Sequence, residues 1–190
     1  MKALSLTQPW ATLIAIGAKK IETRSWRAPG GVMALAIHAA KGLGPVGGER
    51  GLREQCGVEP FCTVLTKALE QHTNEYWRGE GFLKKMVDHP FMPRGAIVAV
   101  VRLVRCEPTI GSAICLPKPD SNEYAFGNYA SGRFMWMFDD IVPLQKPVPC
   151  SGHQSVWDVE QREGPEVAAA VRLQIQGTRI EPYLNYRNLK

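Results

Sequence analysis

The chain lacks any cysteine pattern. The five in 190 residues (Cys56, Cys62, Cys106, Cys115 and Cys150) are odd in number and never in C-x-x-C spacing. That argues against a zinc knuckle or a disulfide framework and reads as mostly buried thiols. No apolar run approaches the roughly 20 residues a membrane span needs, and the first residues lack the basic and apolar regions of a secretory signal. The expectation is a soluble, cytoplasmic protein with no membrane partner. H-E-x-x-H, G-x-S-x-G, Walker and G-x-G-x-x-G motifs are all missing, so the common metalloprotease, hydrolase and nucleotide-binding readings lack support. Neither a metal site nor a cofactor is expected, and no repeat or low-complexity segment occurs.

What is present is enough hydrophobic residue, 45% of 190, to bury one core, and one domain with insertions is the natural count. The formal charge of +5 is a modest pointer to an anionic partner. Clustering says more: Lys19, Lys20, Arg24 and Arg27 fall within nine residues, interleaved with Trp26, and Arg102, Arg105 and Arg133 fall in expected strands or beside them. Basic groups beside an exposed aromatic suit phosphate contact with base stacking. The string Gly17-Ala-Lys-Lys-Ile-Glu-Thr-Arg24 follows an apolar, helix-like run over 9–16. If 20–26 is a strand, its period of two sets Glu22, Arg24 and Trp26 on one face, with Ile21, Thr23 and Ser25 on the other. Taken alone, such a string is also what a solvated strand edge with an ion pair looks like.

Around it, residues 3–6 read as a strand, Thr7 as a helix N-cap, Pro9 as the first helical residue and Gly17 as the stop. Trp10 reads as a core anchor, and Gln8 faces away from the helix's apolar side. Residues 49–56, 62–70 and 81–87 read as short helices, with Tyr76, Trp77 and Phe82 suited to a patch between this insertion and the rest. Residues 106–128, with Pro108, Pro117 and Pro119, read as loop or a short helical turn. Residues 165–176 read as a helix, and 178–190 as an arm or a loosely held tail. His38 ends an apolar strand, where a core or rim histidine is the usual case. Lys41 is placed to open a helix, where its ammonium and the helix N–H groups together favour a phosphate. His153 and Gln154 follow a Pro-Cys-Ser-Gly turn as simple caps.

Leu4-Ser-Leu-Thr-Gln-Pro-Trp-Ala11, then Gly17-x-Lys19-x-x-Glu22-x-Arg24 and Ser25-Trp26, resemble the opening of an ASCH domain, a member of the PUA-like superfamily. Ala36-Ile-His-Ala-Ala-Lys41 is similar to the family's second strand and the turn after it, and 94–102 to its long central strand. Residues 126–138, with Pro143-Leu and Pro147-Val-Pro149, resemble its closing strand and Pro-rich exit. The resemblance implies an α+β fold: a PUA-like mixed β-barrel with a capping N-terminal helix and a helical insertion. The domain would span 1–160 with the insertion at about 42–93, and 161–190 would form a C-terminal extension.

Two functions follow from the resemblance. One is binding of nucleic acid, RNA first, or of a modified nucleoside, in a basic cleft between the first helix and the barrel. There Lys19, Arg24 and Lys41 would meet phosphate or a base edge, Glu22 would accept a base amine or orient a cation, and Trp26 would stack; Gln8, Trp10, His38 and Arg133 complete the candidate set. The other is hydrolysis of a nucleoside or RNA. Some small ASCH proteins are amidohydrolases that deacetylate N4-acetylcytidine with a lysine, a threonine three residues later as nucleophile, and a distal glutamate. Here the lysine matches Lys19, but three residues on stands Glu22, and a carboxylate does not replace an activated hydroxyl. A different hydrolysis would use Glu22 as general base and Lys19 as electrostatic stabiliser, with an acid that the sequence does not name.

Overall fold

The structure is a computed structural model and describes residues 1–43, 47–111 and 116–184. Its elements in chain order are β1 (Lys2–Leu6), α1 (Trp10–Ala15), β2 (Ile21–Arg24), β3 (Ala34–Ala39), α2 (Gly48–Gly57), α3 (Phe61–Thr73), α4 (Phe82–Asp88), β4 (Ala96–Pro108), α5 (Asn122–Ala125), β5 (Phe134–Pro149), β6 (Val156–Asp158), α6 (Val159–Glu163), α7 (Pro165–Ile175) and α8 (Glu181–Leu184). The strands form one six-stranded sheet in the order β2-β5-β4-β3-β1-β6. Only β1 and β3 run parallel; the other pairs are antiparallel. The result is an α+β fold whose sheet curls into a half-barrel, with β2 and β6 as its edges.

The curl originates in the two longest strands. β4 and β5 pair along most of their lengths, but their register shifts at three places, and each such irregularity bends a strand and increases its twist. The prolines of β5 respect the sheet's outline. β2 pairs only with Phe134–Met137, so Pro143, Pro147 and Pro149 lie in the half of β5 that pairs with β4 alone. A residue without an N–H is tolerated there. The segment expected to be all closing strand is therefore divided: 126–133 is loop and turn, and the strand starts at Phe134.

Every residue of β3 is buried, as happens when both faces of a sheet are covered. On one face Ala11 and Ile14 of α1 pack with Leu35, Ile37, Val101 and Trp136. On the other, Ala168, Val171 and Ile175 of α7 pack with Ala36, Val100 and Trp157. A third cluster joins Leu13, on the far side of α1, to Leu52, Leu65 and Met86 of the insertion and to Phe126. α1 is thus the partition between the sheet and the insertion helices.

Local details differ from the sequence reading. Thr7 does not cap α1; the N-cap is Pro9, which makes no side-chain cap, and Gln8 Oε1 accepts from Thr12 N instead. Lys41 opens no helix, since a bend follows β3 and α2 starts at Gly48. Tyr76 is 73% exposed rather than packed, whereas Trp77 joins the insertion's core. Among the described cysteines only Cys56 is buried, with Cys62, Cys106 and Cys150 partly so; Cys115 lies outside the described residues. Burial pushes the Cys56 thiol up to about 12 and that of Cys150 to about 11, which leaves neither as a ready nucleophile. No helix among the described residues is long and apolar enough to cross a membrane.

Candidate functional site

β2 is short because its job is local: four residues pair Ile21 with Met137, Glu22 with Trp136, Thr23 with Met135 and Arg24 with Phe134. Its free edge faces a cleft of about 540 Å³. Three kinds of wall meet there. Trp10, Phe61 and Phe126 make an aromatic wall, with Trp10 edge-on to Phe61 at 6.2 Å and Phe61 edge-on to Phe126 at 4.8 Å. Glu22, Arg24 and Arg133 make the charged wall, and the loop around Asn128 forms the third.

The charged wall is held by its own contacts. Glu22 is buried, with Oε1 3.1 Å from Arg24 Nε and Oε2 3.6 Å from Lys19 Nζ. Arg24 Nη2 donates to Ser5 O at 3.1 Å, and Arg133 Nη2 to Thr23 O at 2.8 Å, so both guanidinium groups are anchored at one nitrogen. The buried Nε atoms of Arg24 and Arg133 have no hydrogen-bond partner in the protein, the Arg24–Glu22 contact lacking hydrogen-bond geometry. Buried donors of that kind favour an acceptor that can reach them.

The loop is fastened on both sides. Trp10 Nε1 donates to Phe126 O at 3.0 Å, and Asn128 N donates to Thr23 Oγ1 at 3.2 Å. Gly127 lies between them, and a Cβ there would come 2.5 Å from the outer end of the Tyr129 ring, so any other residue would push that ring aside. Glu123 of α5 accepts from Lys20 N at 2.7 Å and Ile21 N at 3.1 Å, tying the loop's base to the start of β2. Burial, with the carboxylates of Glu123 and Glu22 nearby, raises the Tyr129 phenol well above its ordinary value.

Four of the residues singled out in the sequence, Trp10, Glu22, Arg24 and Arg133, therefore line one cleft. The other five are elsewhere. Lys19 is 1% exposed, its ammonium on Ile21 O and beside Glu22, behind the charged wall. Gln8 is buried and bridges Pro93 O and Thr12 N. Trp26 packs edge-on against Trp136 at 4.6 Å, and its carbonyl accepts from Trp136 Nε1. His38 is interior, against Trp157 and Cys150 O, and Lys41 is exposed with its side chain along Gly95. Phe126, Asn128 and Thr23 were missed. The Phe126-Gly-Asn128 turn was the available signal: 106–128 read as loop, but 126–138 also resembled the closing strand, which hid the turn's place in the cleft, and Thr23 reaches the cleft because β2 is an edge.

Among the described residues no three His, Cys, Asp or Glu side chains are grouped to hold a metal ion. A curled mixed sheet with an aromatic and charged cleft at its β2 edge defines a small α+β domain with a candidate site at that edge. The ASCH domain model matches residues 4–115, more than half of the chain, and the protein belongs to the ASCH domain family. No curated protein matches it.

Proposed function

We propose that this protein binds RNA and takes a single unpaired base, or a modified nucleoside, into the cleft bounded by Trp10, Phe126, Glu22, Arg24 and Arg133. In this reading the curled sheet is the PUA-like half-barrel, and α1 caps its mouth. The observation that carries the proposal is the meeting, in about 540 Å³, of an aromatic wall with one carboxylate and two anchored guanidinium groups. Flat polar rings are held in this way, by aromatic contact on the face and hydrogen bonds at the edge. Glu22 would accept a base amine, and Arg24 and Arg133 would donate to a carbonyl or a phosphate oxygen.

The burial of Lys19 shifts weight from a phosphate-lined groove toward a base pocket, since few cations of the original cluster are free. A hydrolytic role has less support: Glu22 faces two cations with its two oxygens, which suits an acceptor of ligand N–H groups better than a base awaiting a proton.

The test is titration of a short single-stranded RNA, with free nucleosides as competitors, against native protein, Arg133→Ala and Arg24→Ala. Each variant should lose about tenfold or more in affinity, the usual consequence of removing a charge-assisted hydrogen bond. The log–log salt slope should be shallow, about −2 or smaller in magnitude, as expected for contact with only a few phosphates. Unchanged affinity in both variants would remove the cleft as the site.

A further inference from the structure

α2 has a face that the cleft does not use. Arg50, Arg53, Glu54 and Gly57 recur at i, i+3, i+4 and i+7 and so form one stripe, while Leu52 and Cys56 turn into the insertion's core. Opposite this stripe stands the first turn of α4 with Phe82, Leu83 and Lys84, and with Val58 the two helices bound a shallow groove of about 700 Å³. A Cβ on Gly57 would come 3.0 Å from Leu83 Cδ1, so this glycine lets α4 settle against the end of α2 and shapes the groove.

The walls are apolar and the rim is basic. Val58 is 56% exposed, and Phe82 and Leu83 are half-buried. Around them stand Arg50, Arg53 and Lys84; Glu54 lies 3.3 Å from Arg50 Nε and Asp88, behind the rim, 2.8 Å from Lys84 Nζ, so the three cations face two carboxylates and the rim keeps one net positive charge. Arg53 makes no ion pair or hydrogen bond of its own among the described residues, though its charge is felt at the Asp88 carboxylate. Exposed apolar surface rimmed by charge marks contact sites, and charge decides which partner fits.

We propose that this groove docks an acidic amphipathic peptide segment of another protein, its apolar side chains on Val58, Phe82 and Leu83 and its carboxylates toward Arg50, Arg53 and Lys84. A nucleic acid strand would leave the apolar walls uncovered. A second copy docking through the same groove would set basic rim against basic rim, and this chain's own last residues, with Arg187 and Lys190, carry the wrong sign. The site shares no lining residue with the cleft, so the two assignments stand or fall separately.

The experiment is panning of a random 12-residue peptide display library on the native protein and on Arg50→Glu/Arg53→Glu/Lys84→Glu, whose fold is checked by circular dichroism. The enriched peptides are then synthesised with a fluorescent label and titrated. Native protein should enrich peptides that combine Asp or Glu with Leu, Ile or Phe. The charge-reversed variant and Val58→Asp should each bind them about tenfold more weakly, and Val58→Asp should bind RNA nearly as the native protein does. Enrichment of neutral or basic peptides, no enrichment, equal binding by the variants, or self-association through the groove in sedimentation would overturn the proposal.

Discussion

Lys19 sits in the interior because two groups hold its ammonium there: the Ile21 carbonyl and the Glu22 carboxylate. Removing one partner of a buried ion pair leaves the other charge poorly compensated, at a cost of about 3–5 kcal/mol; Arg24 remains beside Glu22 and offsets part of that. Lys19→Met should therefore lower unfolding stability by about 2–4 kcal/mol in urea titrations, and a loss below about 0.5 kcal/mol would mean that the lysine is free after all. His38 supplies a second test at this scale. Burial lowers its pKa, while the Cys150 carbonyl and Glu163 raise it and His153 lowers it. The folded chain thus resists a proton that the unfolded chain accepts near pH 6.5, so stability should fall as pH drops below that value, by up to about 1.4 kcal/mol per pH unit. The Glu163 carboxyl, lowered by the Ser151 N–H and His153, adds its own loss only below about pH 4.5. Urea unfolding at pH 7.5 and 5.0 should show the fall in native protein and a smaller one in His38→Gln; equal falls would exonerate His38. Residue types were legible in the sequence, as the lysine-glutamate-arginine string shows. Which of them faces solvent was not, because that depends on the 126–133 loop folding over β2 from more than a hundred residues away.

At the scale of elements, the helices of the insertion were readable from their apolar spacing: α2, α3 and α4 match 49–56, 62–70 and 81–87 to within one residue at each end, except that α3 runs three residues further, to Thr73. Strand β5 was not, since its prolines read as an exit from the sheet until the short reach of β2 shows that half of β5 has a free side. The same loop also lines the cleft, through Phe126, Gly127 and Asn128. α5 is a four-residue turn with little stability of its own, and what anchors it to the sheet is Glu123 on the N–H groups of Lys20 and Ile21. Glu123→Ala removes two charge-assisted hydrogen bonds near the surface, together about 1–3 kcal/mol of local stability. The expected outcome is faster hydrogen exchange at Lys20 and Ile21, and weaker RNA binding with little change in thermal midpoint. A large global loss would show that the hook supports the core rather than the cleft.

The whole molecule is a stack: α7 and α8, the sheet, α1, and the insertion helices. The sequence suggested a domain ending near residue 160 with an extension after it, yet the extension completes the core. Val171, Ile175 and Ile180 are fully buried with Trp157, Val148 and Val100. Arg102 of β4 holds Asp139 through two contacts of 2.6 Å and reaches the Tyr183 hydroxyl at 3.0 Å, which fixes the chain near α8 across the sheet. A family motif cannot reveal this, because the motif residues cluster on β1, α1 and β2 while the far face of the sheet is covered by a generic amphipathic helix. Burying a branched aliphatic side chain contributes about 1.5–3 kcal/mol, so these three alone supply roughly 5–9 kcal/mol. That is comparable to the roughly 5–15 kcal/mol by which a typical domain is stable. A chain truncated after Glu163 should therefore lose its cooperative thermal transition and bind a dye for exposed apolar surface, even though every residue of the cleft is retained. Cooperative unfolding within about 2 kcal/mol of the full chain would instead make 1–163 an autonomous domain and α7 a dispensable cover.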